Sequence, residues 1–160
     1  MKTYVLTVSH SFPKTHKRNG EKTNFEMKIL MGLQGYNNSK IHTIRSNYEL
    51  WQKRISEIQK GNAILSIRYW SGKPYNSKQV EICQLDKNSG IGVQELVLKP
   101  NCILSGSVEL FSIDSNFHNP LNLGLLSKND GLSFEDFKEW FRKYDLSQPM
   151  AIIHFTRFRY

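Results

Sequence analysis

The chain has 160 residues, a length typical of one domain around one hydrophobic core, so residues 1–160 are expected to form a single unit. Twenty-two Lys and Arg against fourteen Asp and Glu give a formal charge of +8 and an isoelectric point near 9.5. This balance favours a polyanionic partner such as nucleic acid.

The composition argues against several other classes of protein. Cys83 and Cys102 are the two cysteines, without a CxxC pair or a histidine cluster, so neither a disulfide framework nor a zinc site is indicated. The first ten residues, MKTYVLTVSH, lack the apolar stretch and cleavage site of a signal peptide. No apolar run approaches the roughly 20 residues that span a bilayer. The expected protein is cytoplasmic, carries no metal or cofactor and avoids membranes.

The first half of the chain is expected to contain one strand and two helices. Residues 4–8 alternate like a strand, and the polar, basic residues 11–22 read as a loop. Helices follow over residues 23–35 and 46–61, each ending at a glycine. Each helix begins with a hydroxyl residue followed three positions later by glutamate, a capping box: Thr23 with Glu26, and Ser46 with Glu49.

The second half reads mostly as a sheet. Residues 63–70 and 78–85 flank a turn and predict a hairpin, while residues 90–98 and 103–113 are rich in β-forming side chains. Ser133 caps a last helix, and a strand over residues 150–160 closes the chain. The element order contains no βαβ repeat and predicts an α+β fold, a small β-barrel or half-barrel of about five to seven strands with flanking helices.

The segment KIHTIR, residues 40–45, places two cations, a histidine and a hydroxyl within six positions. In an extended strand, Thr43 and Arg45 face one side, and Lys40 and His42 face the other. A bulge at Ile41 would bring Lys40 beside Thr43. A partly desolvated amine beside a hydroxyl is a workable nucleophile pair, and the alternative is a solvated lysine with an ordinary strand threonine.

Two further segments combine features that unpaired bases and phosphates require. RYWSGKPY, residues 68–75, interleaves cations with aromatic rings, which suits base stacking beside a sugar–phosphate backbone. The alternative is that the rings belong to the core and the cations are solvated. The loop at residues 11–22 adds a second basic segment. The candidate contacts in these segments are Lys17, Arg18, Arg68, Trp70, Lys73 and Tyr75.

Asp130 stands apart from the other carboxylates near the last helix. It lies in SKNDGLSFEDF, ahead of Gly131 and the cap residue Ser133, and not on the solvated face of the helix. The alternative to a chemical role is an Asx turn that leads into the helix.

The order of these features resembles the ASCH domain, a family with a PUA-like β-barrel. The shared order is a strand, a helix that ends in a glycine-containing loop, a K-x-x-T-I-R motif, a hairpin sheet, a D-G-L-S helix start and a final strand. Residues 86–127 are longer than in the small bacterial members. The matching positions are Lys40, Thr43, Ile44 and Arg45 for the first motif, and Asp130, Gly131, Leu132, Ser133, Phe137 and Phe141 for the second.

The resemblance implies a domain that binds RNA or a nucleotide in a polar cleft lined by KIHTIR. In this interpretation Arg45 suits a phosphate or a base carbonyl because its planar fork donates two parallel hydrogen bonds. The other implied contacts are His42 and the cations and aromatic rings of the two basic segments.

The alternative implied by the resemblance is a metal-free amidohydrolase that acts on an N-acetylated cytidine nucleoside. Lys40 would then be the general base, Thr43 the nucleophile and Asp130 the carboxylate that assists proton transfer. The family has Glu at the third position, and Asp is one methylene shorter. Asn129 or Glu81 are the other candidates for that position.

Overall fold

The computed structural model describes residues 1–99, 111–118 and 122–160, and these residues form a mixed α+β fold. Their eight strands lie in two sheets, and four helices accompany them. In chain order the elements are β1 (Lys2–Val8), α1 (Phe25–Leu33), β2 (His42–Ser46), α2 (Tyr48–Gln59), β3 (Ala63–Trp70), β4 (Gln79–Leu85), β5 (Gly92–Val97), β6 (Phe111–Ile113), β7 (Asn116–His118), α3 (Leu123–Asn129), α4 (Phe134–Phe141) and β8 (Met150–His154).

The smaller sheet has the order β1-β3-β4. β1 and β3 are parallel, and their register places Leu6 opposite Ile67, both of which are buried. β3 and β4 are antiparallel, which confirms the predicted hairpin, and a register shift follows Ile67. Trp70 at the end of β3 and Tyr75 in the turn of this hairpin lie near the end of β1.

The larger sheet has the order β2-β8-β5-β6-β7. β8 lies between two antiparallel neighbours, and all five of its residues are buried. A strand covered on both faces requires a continuous apolar run, and the sequence MAIIH provides one. β2 therefore lies against the most buried strand, with Thr43 opposite Ile153.

Helix α2 packs against both sheets. It contacts β3 of the smaller sheet and β5 and β8 of the larger one. Its buried residues are Trp51, Ile55 and Ile58, which recur at the three- and four-residue spacing of one helical face. Asn47 caps this helix by accepting a hydrogen bond from the Leu50 backbone nitrogen at 3.1 Å.

The sheets are not closed into a barrel. Across residues 1–99, 111–118 and 122–160, no strand pairing connects the two sheets. The α+β class is confirmed, whereas the prediction of a closed barrel of about five to seven strands is wrong. Patterns of alternation identify strands but do not fix which strands pair, and that pairing is what decides closure.

Two of the three predicted helix starts differ from the structure. Asn24, and not Thr23, holds the cap position of α1. The Thr23 hydroxyl accepts from the Phe25 backbone nitrogen at 3.3 Å and donates to the Ser9 carbonyl at 2.7 Å, which ties the helix start to the end of β1. Ser46 is the last residue of β2, and Asn47 takes its place as cap. Ser133 caps α4 as predicted, accepting from the Asp136 backbone nitrogen at 3.1 Å.

The closing segment and the long insertion also depart from expectation. The strand predicted over residues 150–160 ends at His154. α3 had no counterpart in the sequence interpretation. The predicted strand over residues 103–113 lies mostly outside the described residues, as does Cys102. Cys83 is a partly buried free thiol.

Among the helices of the described residues, none is long and apolar enough to cross a membrane.

Candidate functional site

Lys40 and Asp130 meet where two loops pair by their backbones. Lys40 precedes β2, Asp130 follows α3, and the two residues form an isolated antiparallel bridge. The Ile41 backbone nitrogen donates to the Asn129 carbonyl at 2.9 Å. Gly131 has a φ of +78°, and a Cβ at this position would lie 3.0 Å from the Lys40 Cβ. The glycine of the D-G pair in the second motif therefore allows Lys40 to approach the backbone at this position.

The side chains of Lys40 and Asp130 form a buried ion pair. The Lys40 Nζ donates to the Asp130 Oδ1 at 2.5 Å and to the Asp130 backbone carbonyl at 2.6 Å. It also lies 4.2 Å from the ring centroid of Phe25, a cation–π contact. Lys40 is 2% exposed and Asp130 4% exposed, so water does not screen the pair.

Burial acts on both partners in the direction that favours their neutral forms. Desolvation lowers the pKa of Lys40 below its ordinary value, partly opposed by the Asp130 charge. Desolvation likewise raises the pKa of Asp130, opposed by the charges of Lys40 and Arg45. A proton is therefore more easily passed between these two groups than between exposed ones.

A small cavity of about 60 Å³ lies beside this pair. The Thr43 side chain lines it, as do the aromatic residues Trp140 and Tyr144. Thr43 is itself buried, at 6% exposed. The structure thus brings Lys40, Thr43 and Asp130 around one cavity, which has room for a few waters or a group of a few atoms.

Arg45 lies between this cavity and a larger groove. Its guanidinium donates to the Thr7 carbonyl, while its Nε is buried and has no partner among the described residues. Arg45 lines both spaces, together with Val8 and Ser9. The small cavity and the groove are therefore neighbours that share one wall.

The groove has a volume of about 580 Å³, within the range of about 300–1,000 Å³ that small-molecule sites occupy. Trp70 and Tyr75 form one side, with ring centroids 5.3 Å apart. The opposite side is the loop after β1, which contributes His10 and Lys14. The groove is thus mixed in character, with aromatic faces and cations.

His42 lies behind the ion pair and does not line the cavity. It is fully buried, and its Nδ1 is 3.7 Å from the Asp130 Oδ1. Its Nε2 is 2.8 Å from the Tyr160 hydroxyl, which also accepts from the Asn129 side chain at 3.0 Å. Contact between His42 and a ligand in the cavity is therefore blocked by Asp130.

His154 packs beside His42 and makes the stability of the fold depend on pH. Neither of its ring nitrogens has a hydrogen-bond partner in the described residues, and burial lowers its pKa from 6.5 to about 3. Burial also lowers the pKa of His42 well below 6.5. Between pH 6.5 and about 3 the unfolded chain binds more protons at these sites, so stability falls as pH falls.

Replacing His154 by Phe is expected to weaken this acid sensitivity. From pH 7 to pH 5, one such histidine costs about 2 kcal/mol of unfolding free energy. Urea titrations of the wild type and His154→Phe at the two pH values measure the difference. Equal pH dependence in both proteins would show that His154 is not buried in its neutral form.

Four predicted ligand contacts lie elsewhere. Arg68 donates to the Ser66 hydroxyl at 2.8 Å and lies 3.8 Å from Glu81, and Lys73 is exposed in the hairpin turn outside the groove. Lys17 and Arg18 line a separate, exposed pocket beside α4, where Arg18 pairs with Asp136 at 2.7 Å. Asp136 lies 118 positions from Arg18, so sequence spacing gives no sign of this pair.

Glu81 and Asn129 do not replace Asp130 beside Lys40. Glu81 is exposed on β4 and contacts the Ser66 hydroxyl, while the Asn129 amide donates to Tyr160. Sequence reasoning missed the contact between His10, which lines the groove, and Glu26 behind it. The signal was present in part, because His10 lies two residues after the first strand and Glu26 lies in the first turn of the first helix.

In the described ranges, no group of three or more His, Cys, Asp or Glu side chains is arranged to hold a metal ion. Comparison with protein-family models, curated proteins and solved structures yields no match to this chain.

Proposed function

We propose that the protein binds RNA or a nucleotide in the groove between the β3–β4 turn and the loop after β1. The observation that carries this proposal is the shared wall at Arg45, where a groove of about 580 Å³ meets the polar cavity beside Lys40. A base stacked in the groove would have an exocyclic group or a phosphate within reach of Arg45.

The chemistry of the groove supports this ligand class over an apolar small molecule. Trp70 and Tyr75 offer ring faces, and a stacked base gains about 1–3 kcal/mol from such a contact. Lys14 and Arg45 supply cations to the same space. The formal charge of +8 adds a long-range attraction for a polyanion.

We further propose that the chain is an ASCH-type domain of the PUA-like class. The support is the meeting of the two motifs: Lys40 and Asp130 are 90 positions apart in the chain and share a 2.5 Å hydrogen bond. Thr43 and Arg45, from the same first motif, line the cavity beside that pair. A chance similarity of short motifs would not require these residues to converge.

Replacing Trp70 by Ala is expected to weaken binding to a single-stranded RNA about tenfold, because one stacking platform is lost. Fluorescence anisotropy of a labelled oligonucleotide, repeated over a range of salt concentrations, measures the affinity. The wild-type affinity is expected to fall steeply with salt, since each neutralised phosphate releases counterions.

The matched control is Phe117→Ala, which removes an aromatic residue that is 73% exposed and lies in β7, outside the groove. Its affinity for the RNA is expected to equal that of the wild type. Equal losses in the two variants would place the RNA outside the groove, and salt-independent wild-type binding would contradict phosphate recognition.

The second candidate function is the metal-free hydrolysis of an acylated amine on a nucleoside. It is favoured by one observation: an amine, a hydroxyl and a carboxyl group surround a single cavity of about 60 Å³, close to the size of an acyl group. In this proposal Lys40, in its neutral form, takes the Thr43 hydroxyl proton as the oxygen attacks the amide carbon. Asp130, in its neutral form, then gives a proton to the departing nitrogen, and water releases the acyl group from Thr43.

A further inference from the structure

His10 occupies a fixed position on the wall of the groove. Its backbone carbonyl accepts from the Thr23 nitrogen at 3.1 Å and from the Thr23 hydroxyl at 3.2 Å. Its ring stacks on Tyr69, with centroids 5.1 Å apart and an interplanar angle of 15°. Hydrogen bonds therefore hold the backbone of His10, and stacking on Tyr69 holds its ring. His10 also lines the groove.

A carboxylate lies against the Nδ1 of His10. The Glu26 Oε1 is 3.2 Å from this nitrogen, although the ring is not oriented for a hydrogen bond. In the described residues neither His10 Nδ1 nor Glu26 Oε2 has a hydrogen-bond partner, and both atoms are buried. A buried polar atom without a partner is costly, and a small ring rotation would let His10 Nδ1 donate to the Glu26 carboxylate beside it.

The other ring nitrogen is free to contact a ligand. The His10 side chain is 31% exposed and lines the groove, while its Nδ1 is buried against Glu26. Glu26 itself does not line the groove, so the imidazole stands between the carboxylate and the space where a ligand would lie. This is the arrangement in which a carboxylate orients a histidine for contact through its opposite nitrogen.

We propose that His10, oriented by Glu26, donates a hydrogen bond from Nε2 to a phosphate oxygen, so that the groove takes phosphorylated nucleotides or RNA in preference to free nucleosides. This inference rests on the proposed nucleotide-binding function. An imidazole between a carboxylate and a phosphate can donate to both, because each of its nitrogens then carries a proton. Lys14 and Arg45 line the same groove and would share the phosphate charge.

The test is RNA binding by His10→Phe, which keeps a ring against Tyr69 but has no nitrogen. The affinity for a single-stranded RNA is expected to fall about tenfold. The slope of log affinity against log salt is expected to shrink by about 0.7, the value of one phosphate contact on a single strand. A purely structural role of His10 would lower affinity without changing the slope.

His118→Phe is the matched control, because His118 also stacks on an aromatic ring, that of Phe111 at 5.4 Å, but lies outside the groove. It is expected to leave both affinity and slope unchanged. A wild type that binds no RNA would overturn the proposed function itself. RNA binding with the same slope in wild type and His10→Phe would overturn only the assignment of His10.

Glu26→Gln gives a second test, because two explanations of Glu26 predict opposite changes in RNA affinity. If Glu26 merely added negative charge near the groove, its neutralisation would strengthen RNA binding. If it orients His10, the same substitution is expected to weaken binding about threefold despite the more positive surface. Tighter binding by Glu26→Gln would therefore overturn the proposed pairing.

Discussion

Replacing Lys40 by Met is expected to lower the free energy of unfolding by about 3–5 kcal/mol, because it leaves the Asp130 carboxylate buried without its partner. Asp130 is 4% exposed, and its Oδ1 takes its 2.5 Å hydrogen bond from Lys40. Methionine has a similar volume, so the loss reflects charge more than packing. Urea denaturation at pH 7, followed by circular dichroism, measures the change.

The control is the double variant Lys40→Met with Asp130→Leu, which removes both charges at once. Its stability is expected to lie within about 1–2 kcal/mol of the wild type, since replacing a whole buried pair by apolar groups is often neutral or stabilising. Were the single variant as stable as the wild type, Asp130 would have to be neutral or solvated without Lys40. Equal losses in the single and double variants would point to packing instead of charge.

This expectation changes how the catalytic role of Lys40 can be tested. The sequence left open a solvated Lys40, and replacing a solvated lysine would not be expected to harm the fold. Its burial against Asp130 comes from the backbone bridge between two loops, a contact across 90 positions that local patterns do not encode. A loss of activity in a Lys40 variant is therefore informative only when that variant is shown to be folded.

The sequence predicted the composition of the site better than its geometry. The resemblance to the ASCH family singled out Lys40, Thr43 and Asp130, and these three residues line one cavity. His42 was expected to contact a ligand because it lies within the same segment, yet it points behind Asp130 toward Tyr160. In an extended chain alternate residues diverge, and only the tertiary position of β2 decides which face meets the cavity.

The partners of exposed cations were beyond the reach of sequence patterns. Arg18 pairs with Asp136, 118 positions away, so the basic loop that suggested a phosphate contact is partly neutralised at that point. No sequence motif includes His10, and its contact with Glu26 depends on how α1 packs against the end of β1. Both cases follow from packing between elements, which composition and periodicity do not determine.

Thr43→Val is expected to abolish hydrolysis of acetylcytidine, with a loss on the order of 10³-fold, if the second candidate function holds. Valine keeps the shape of threonine but removes the oxygen that would attack the amide carbon. Chromatographic detection of cytidine, without added metal, measures the turnover.

Thr43→Ser is the matched control, because it keeps the nucleophilic oxygen and loses only a methyl group. It is expected to retain most of the activity, whereas Thr43→Val retains RNA binding but not turnover. Undiminished cytidine release by Thr43→Val would exclude the hydroxyl as nucleophile. If the folded wild type releases no cytidine, the hydrolase proposal fails for this substrate. The buried pair of Lys40 and Asp130 is then best explained as the element that joins the two motif loops.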